Sequence, residues 1–163
     1  MAKPARPRYE HRQGGGFTRF TFILAVALMP VLYLLDPKAG PALLIATPLL
    51  LLVFAAFDGL TVRIDAQALS WRFGHLGFPR GRVALTDIAA AAVTRTTFWE
   101  GWGIRRTRRG WLYNVSGYDA VLLTRRDGKT FLLGSDQARK LKSALDAALA
   151  ALEALPRTAP ARR

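Results

Sequence analysis

The sequence predicts a membrane-anchored α+β protein, in which a transmembrane helical hairpin precedes a small antiparallel β domain that ends in a helix. Two observations predict the anchor. Residues 20–35 and residues 42–57 are apolar runs of 16 residues each, and neither contains a charged side chain. The third observation predicts the domain, because the chain after residue 59 alternates apolar and polar side chains and then changes to an amphipathic helical pattern.

The two apolar runs favour a hairpin in a membrane. At about 1.5 Å per residue each run spans about 24 Å, and flanking residues can extend it toward a hydrocarbon core of about 30 Å. Neither run has a polar stripe, and a chain of 163 residues cannot bury two helices that are apolar on every side. Pro30 and Pro48 predict kinks. The alternatives are two buried helices of a soluble core, or a secretory signal cleaved near Ala27.

Composition excludes several kinds of site. The net charge of +13 indicates an anionic partner, either a membrane surface or nucleic acid, and the hairpin favours the membrane and makes nucleic acid unlikely. The absence of cysteine excludes disulfides and thiolate metal or redox sites. With two histidines in the chain, a histidine-rich metal cluster is excluded as well, so we expect no metal and no cofactor.

Charge also predicts the domain order and the topology. We expect a basic flexible tail over residues 1–16, the transmembrane hairpin over residues 17–58, the β domain over residues 59–155 and a disordered basic tail over residues 156–163. The hairpin turn carries Asp36 and Lys38 and is neutral, whereas both flanks are basic. The positive-inside rule then predicts an inner (plasma) membrane protein with both termini in the cytoplasm.

The β domain should contain about seven short strands followed by one helix. Residues 88–94 are expected to form a strand, and Asp127-Gly128 between two alternating segments predicts a hairpin turn. Ser135 or Asp136 can cap the final helix, and Pro156 ends it. One apolar face of this helix is formed by leucines at helical spacing, namely Leu141, Leu145, Leu149 and Leu152.

Three segments support a resemblance to a known family. They are Gly-Trp-Gly-Ile-Arg at residues 101–105, Gly-Trp-Leu-Tyr-Asn-Val-Ser-Gly at residues 110–117 and Leu-Leu-Gly-Ser-Asp at residues 132–136. With the element order around them, residues 58–155 resemble the bacterial pleckstrin-homology-like domain proteins. The resemblance implies a bent antiparallel sandwich or barrel closed at one end by the C-terminal helix, and it implies this fold far better than any activity.

A basic turn is the sharpest candidate site. It contains four arginines bracketed by two tryptophans, namely Arg105, Arg106, Arg108 and Arg109 with Trp102 and Trp111. The guanidinium groups could bind lipid phosphates while an indole lies among the headgroups. The alternative is a solvated hairpin turn whose tryptophans belong to the core of the domain, and we favour the core position for the tryptophans.

A second candidate surface is aromatic. Phe98 and Trp99 fall in a predicted loop, where two exposed rings could dock a membrane or cytoplasmic protein. No arrangement of nucleophile, base and acid is recognisable around His11, His75 or the carboxylates, so an enzyme is not expected. The predicted function is non-catalytic: the domain binds an anionic membrane surface or acts as a scaffold there, with protein docking as the alternative and nucleic-acid binding as a remote one.

Overall fold

The computed structural model describes residues 8–154 and has an α+β architecture: two long apolar helices, two β-sheets and a C-terminal helix. Within these residues, the helices and strands are β1 (Tyr9–Gln13), α1 (Gly16–Leu35), α2 (Gly40–Phe57), β2 (Leu60–Ile64), β3 (Ala68–Phe73), β4 (Arg80–Ala84), β5 (Ile88–Arg95), β6 (Gly103–Thr107), β7 (Gly110–Asn114), β8 (Asp119–Arg125), β9 (Thr130–Gly134) and α3 (Ala138–Glu153). The predicted order of a helix pair, a β domain and a C-terminal helix is confirmed, with more strands than the expected seven.

Helices α1 and α2 form an antiparallel pair joined by a short 3₁₀ turn, Pro37–Ala39. They contain 20 and 18 residues, or about 30 Å and about 27 Å, so both are long and apolar enough to cross a membrane. Phe22 and Phe54 stack between them with ring centroids 4.2 Å apart. No residue of either helix is buried in the described chain, so the alternative of two core helices in a soluble protein is wrong.

Strand β1 changes the predicted domain boundary. It pairs antiparallel with β2, with Tyr9 opposite Ile64 and Gln13 opposite Leu60. The helix pair is therefore an insertion between two neighbouring strands of one sheet, and the β domain begins before it. The prediction of a flexible tail over residues 1–16 is wrong for β1, while residues 1–7 and 155–163 lie outside the described residues.

The core lies between the two sheets and α3. The four-stranded sheet has the order β1-β2-β3-β4, and the five-stranded sheet has the order β5-β8-β9-β7-β6 with β7 and β9 parallel. Trp71 of β3 contacts the five-stranded sheet, with centroid distances of 4.9 Å to Tyr113 and 5.2 Å to Phe131. The predicted apolar face of α3 is confirmed, because Leu141 and Leu145 are fully buried against this core.

One end of the five-stranded sheet contacts α1 and β1. Trp102, just before β6, packs on Phe17 in the first turn of α1 at a centroid distance of 4.5 Å. Beyond β7, the Ser116 carbonyl accepts a 2.6 Å hydrogen bond from Gln13, at the helix-proximal end of β1. After β9, Asp136 Oδ1 lies 2.6 Å from His11 Nε2, and His11 is farther from the helices along β1 than Gln13 is. These contacts place the start of β6 beside the first turn of α1.

Candidate functional site

The basic turn predicted from the sequence is a tight hairpin between β6 and β7. Thr107 lies opposite Gly110, so Arg108 and Arg109 are the two turn residues. The Thr107 hydroxyl donates to the Gly110 carbonyl at 2.8 Å and accepts from the Arg109 N–H at 3.1 Å. Gly110 has φ +104°, and a Cβ there would lie 1.9 Å from the Thr130 carbonyl, so only glycine fits this turn.

Arg109 is a structural residue of this hairpin. Its guanidinium donates to the Thr94 hydroxyl at 2.9 Å and to the Arg95 carbonyl at 3.1 Å, both at the end of β5. It also binds both carboxylate oxygens of Glu100, at 3.0 Å and 2.9 Å. Strands β5 and β6 are opposite edges of the sheet, so these contacts require the sheet to curl. The Arg109 charge is thus neutralised internally.

Glu100 holds this arrangement in place. It ends a short 3₁₀ turn, Phe98–Glu100, in which its carboxylate accepts the Thr97 N–H at 2.8 Å in a capping box. Burial acts to raise the pKa of the Glu100 carboxyl, but the Thr97 N–H and the Arg109 guanidinium lower it below its usual value. The carboxylate therefore stays ionised at neutral pH and keeps Arg109 bound.

The hairpin, the end of β5 and residues 97–100 enclose one open cleft, which we call the basic cleft. Its volume is about 1240 Å³, and it is open to solvent. Five arginines and one glutamate give the lining a net charge of +4. The complete lining is Arg95, Thr97, Trp99, Glu100, Arg105, Arg106, Thr107, Arg108 and Arg109.

The four arginines of the turn have different roles. Arg109 is bound to Glu100, and Arg105 donates one hydrogen bond to the Glu100 carbonyl at 3.1 Å. Arg106 and Arg108 are exposed, and in the described part of the chain neither forms an ion pair. The cations of the cleft with the greatest freedom to meet an external anion are therefore Arg106 and Arg108.

The two tryptophans beside the turn are not core residues. Trp111 lies on β7 opposite Arg106 and is 49% exposed, so the interpretation that placed it in the core is wrong. Trp102 is partly buried, but it packs on Phe17 of α1, and its indole N–H donates to the Gly117 carbonyl at 3.0 Å. The core position is instead filled by Trp71, the indole that contacts both sheets.

The aromatic pair joins the same surface. Phe98 and Trp99 are 67% and 87% exposed and meet edge to face at 5.8 Å. Trp99 lines the basic cleft together with the arginines. The two sites that the sequence offers as alternatives, a lipid-binding turn and a protein-docking pair, are therefore adjacent parts of one surface.

A charged cluster, which we call the junction, ties the helices to the β domain. Asp58 follows α2, and its side chain is only 3% exposed. Its carboxylate accepts hydrogen bonds from Arg19 of α1 at 2.6 Å and 3.2 Å and lies 3.0 Å from His75 Nε2. Arg12 of β1 donates to the Asp58 carbonyl at 2.9 Å. One buried carboxylate thus connects α1, α2, β1 and the loop after β3.

The environment of Asp58 favours its ionised form. Burial acts to raise the pKa of its carboxyl, but the hydrogen bonds from Arg19 and His75 outweigh burial and lower the pKa below the usual aspartate range. Asp58 is therefore ionised at neutral pH, and the side chains of Arg19 and His75 beside it are each 54% exposed.

Sequence reasoning missed the junction and a second arginine-rich surface. On the outward face of the four-stranded sheet, Arg72 pairs with Arg80 and Ser70 with Arg82 across neighbouring strands. These residues and Arg63 line a groove of about 550 Å³. The period-two placement of these arginines in β3 and β4 was a usable signal, whereas nothing local to Asp58 indicated that Arg19 would meet it.

No protein-family model matches the sequence, and a search of curated proteins finds no significant match.

Proposed function

We propose that this is a non-catalytic integral membrane protein, in which α1 and α2 cross the membrane and the β domain binds anionic lipid headgroups at the surface. Two features support the anchor: both helices are long and apolar enough to span, and neither contains a buried residue. Because α1 follows β1 and α2 precedes β2, the two connections to the helices leave from adjacent ends of neighbouring strands.

The position of the basic cleft carries the lipid proposal. The cleft has a net charge of +4 and is built on β6, an edge strand whose preceding residue, Trp102, packs on the first turn of α1. A membrane crossed by α1 and α2 would lie near this end of the domain. Each arginine near an anionic surface contributes about 1 kcal/mol, and the contact weakens as salt screens it. Trp102, packed on α1, has the amphipathic ring that suits the headgroup region.

The topology and the family resemblance complete this proposal. The neutral hairpin turn and the basic flanks favour a cytoplasmic β domain in an inner membrane. Two apolar helices before a β domain with a C-terminal helix are compatible with the bacterial pleckstrin-homology-like proteins. In this chain β1 precedes the anchor, so the helices interrupt the β domain.

Removing the free charges of the basic cleft should weaken binding of anionic lipid. The full chain in neutral detergent micelles is titrated with short-chain phosphatidylglycerol or phosphatidylcholine, and tryptophan fluorescence reports binding, since Trp99 and Trp111 are exposed. We expect binding of phosphatidylglycerol that declines with salt. In the double variant Arg106→Ala/Arg108→Ala we expect the affinity to fall about 10- to 30-fold, from about 1 kcal/mol per arginine.

A control variant with the same change in net charge distinguishes binding at the basic cleft from general electrostatic attraction to the lipid. The variant Arg82→Ala/Arg139→Ala removes two exposed arginines outside the basic cleft and should retain near-native affinity. Equal binding of the two lipids by the native chain, or equal losses in the two double variants, would argue against headgroup recognition by the cleft.

A second candidate function is docking of a protein at the membrane, with the β domain as a scaffold. The observation that favours it is the exposure of Phe98 and Trp99 beside the cationic cleft, a combination that suits an acidic segment carrying an apolar side chain. For a docking surface, Trp99→Ala should abolish partner capture in a membrane pull-down while leaving phosphatidylglycerol binding within about twofold of native. Loss of lipid binding in that variant would instead assign Trp99 to the lipid site.

A further inference from the structure

The loop between β3 and β4, residues 74–79, is fixed to the last turn of α2. The His75 N–H donates to the Ala55 carbonyl at 2.8 Å, and the Gly74 N–H donates to the Gly59 carbonyl at 2.8 Å. Gly74 has φ +55°, and a Cβ on it would lie 2.2 Å from the Ala55 oxygen. Glycine is therefore required for this close approach, and the loop lies alongside the apolar helix.

The tip of this loop exposes two large apolar side chains. Leu76 is 58% exposed and Phe78 is 69% exposed. Exposed arginines flank the loop, since Arg72 is the second-last residue of β3 and Arg80 is the first residue of β4, and the two face each other across the strands. An apolar tip flanked by cations matches the chemistry of a membrane interface, where apolar groups enter the acyl boundary and guanidinium groups stay among the phosphates.

We propose that Leu76 and Phe78 insert into the lipid leaflet beside α2, as a third membrane contact next to the two helices. The inference rests on the proposed membrane-spanning role of the hairpin, and it is independent of the basic cleft. Ala55 lies in the uncharged run of α2, two residues before the helix ends. A loop bonded to its carbonyl is held at the depth where α2 leaves the hydrocarbon, and the exposed side chains meet lipid there.

Lipid is a better occupant of this loop than a protein partner, because the Leu76 N–H lies 3.5 Å from the Ala55 carbonyl oxygen, which holds the loop tip beside an apolar helix that has no buried residues. The contact has a consequence for orientation. The inserted loop holds the β3–β4 end of the domain against the leaflet, while the packing of Trp102 on Phe17 holds the start of β6 against α1. With these contacts the domain cannot swing freely on its two connections, and the start of β6 stays near the membrane surface.

Depth-dependent quenching tests this inference, and the absence of cysteine makes single-cysteine labelling straightforward. The full chain is reconstituted in vesicles as four separate variants: Leu76→Cys, Phe78→Cys, Ala27→Cys in the middle of α1, and Gln67→Cys. Gln67 is exposed in the β2–β3 turn, at the strand ends away from the helices. Each cysteine carries the same environment-sensitive fluorophore, and the lipids carry a nitroxide either near the headgroup or deep in the acyl chain.

We expect the shallow nitroxide to quench the labels at residues 76 and 78 at least threefold more than the label at residue 67. The deep nitroxide should quench the label at residue 27 most strongly. Quenching at residue 27 with none at residues 76 and 78 would overturn the loop insertion and leave the anchor intact. An unquenched label at residue 27 would overturn the anchor itself, and the loop insertion with it.

Discussion

Replacing residues 14–59 with Asn-Gly should produce a soluble β domain that folds cooperatively. Gln13 lies directly opposite Leu60, so the two strands that flank the helix pair are already in register for a two-residue hairpin turn. The replacement keeps β1 and its contacts to the rest of the domain, including the hydrogen bond from Gln13 to the Ser116 carbonyl. Far-ultraviolet circular dichroism and thermal unfolding in buffer without detergent provide the measurement.

A simple truncation provides the matched comparison. Deleting residues 1–58 also removes the helices, but it takes β1 with them and leaves β2 as an unprotected edge. Leu60, Val62 and Ile64 are core residues of β2, so we expect this chain to aggregate or to lack a cooperative transition. Equal stability of the truncated chain and the Asn-Gly chain would contradict the role of β1 in the sheet.

Asp58→Asn should destabilise the full chain by about 2 to 3 kcal/mol, measured by denaturant unfolding in detergent micelles. The substitution keeps the volume of the side chain but removes the charge that receives the hydrogen bonds of Arg19. Charge-assisted hydrogen bonds of this kind contribute about 1.5 to 3 kcal/mol. Asp119→Asn is the control, since Asp119 is exposed and has one ion-pair partner, Arg95 at 3.2 Å, and we expect little change there.

The pH dependence follows from the direction of the pKa shift. The pKa of Asp58 is lower in the folded state than in the unfolded chain, so the carboxyl contributes stability above the usual aspartate pKa of about 3.9. This contribution is lost as the pH falls through the folded pKa. The difference in stability between the native chain and Asp58→Asn should therefore be constant near neutral pH and should shrink below about pH 4. A difference that stays constant down to pH 3 would show that the destabilisation does not come from the loss of an ionised carboxylate at residue 58.

Local patterns in the sequence predicted most elements of the β domain. The expected strand over residues 88–94 corresponds to β5, and Asp127-Gly128 forms the turn between β8 and β9. Both are local signals: β-branched Val93 and Thr94 end the alanine-rich segment, and Asp-Gly has the chemistry of a hairpin turn. The two apolar helices and the leucine face of α3 were equally clear, because long periodic or uniformly apolar segments depend little on tertiary context.

The cap of α3 differs in detail from the expectation. The helix begins at Ala138, and its N-terminal flank, Gln137, forms no side-chain cap. Ser135 is buried, and its hydroxyl instead accepts the Gln137 N–H at 3.1 Å, before the helix starts. The polar residues that the sequence offered as caps therefore lie in the turn that leads from β9 into the helix.

Strand β1 was missed because its signal is not local. Tyr9, His11 and Gln13 point inward and alternate with exposed Glu10 and Arg12. The segment contains no apolar run and lies among basic residues, so from the sequence it was interpreted as part of a basic tail. The partner strand begins beyond the whole hairpin, so no turn signal connects the two. Only tertiary pairing reveals the strand.

The candidate site was predicted in part. The sequence identified the arginines of the β6–β7 turn, and the structure brings Arg106 and Arg108 together with Trp99 in the basic cleft. The binding of Arg109 by Glu100 could not be foreseen, because it depends on the curl of the five-stranded sheet. The exposure of Trp111 was missed because indoles usually fill a core, and here Trp71 already does so.

The most direct test of a membrane-spanning hairpin is sidedness. Single cysteines at Lys38, in the turn between the helices, and at Gln67, in the β2–β3 turn, are reacted with a membrane-impermeant maleimide in sealed right-side-out and inside-out vesicles. Both side chains are exposed. We expect Lys38→Cys to react in right-side-out vesicles only. We expect Gln67→Cys to react in inside-out vesicles only. Reaction of both cysteines from the same side would show that α1 and α2 do not cross the membrane.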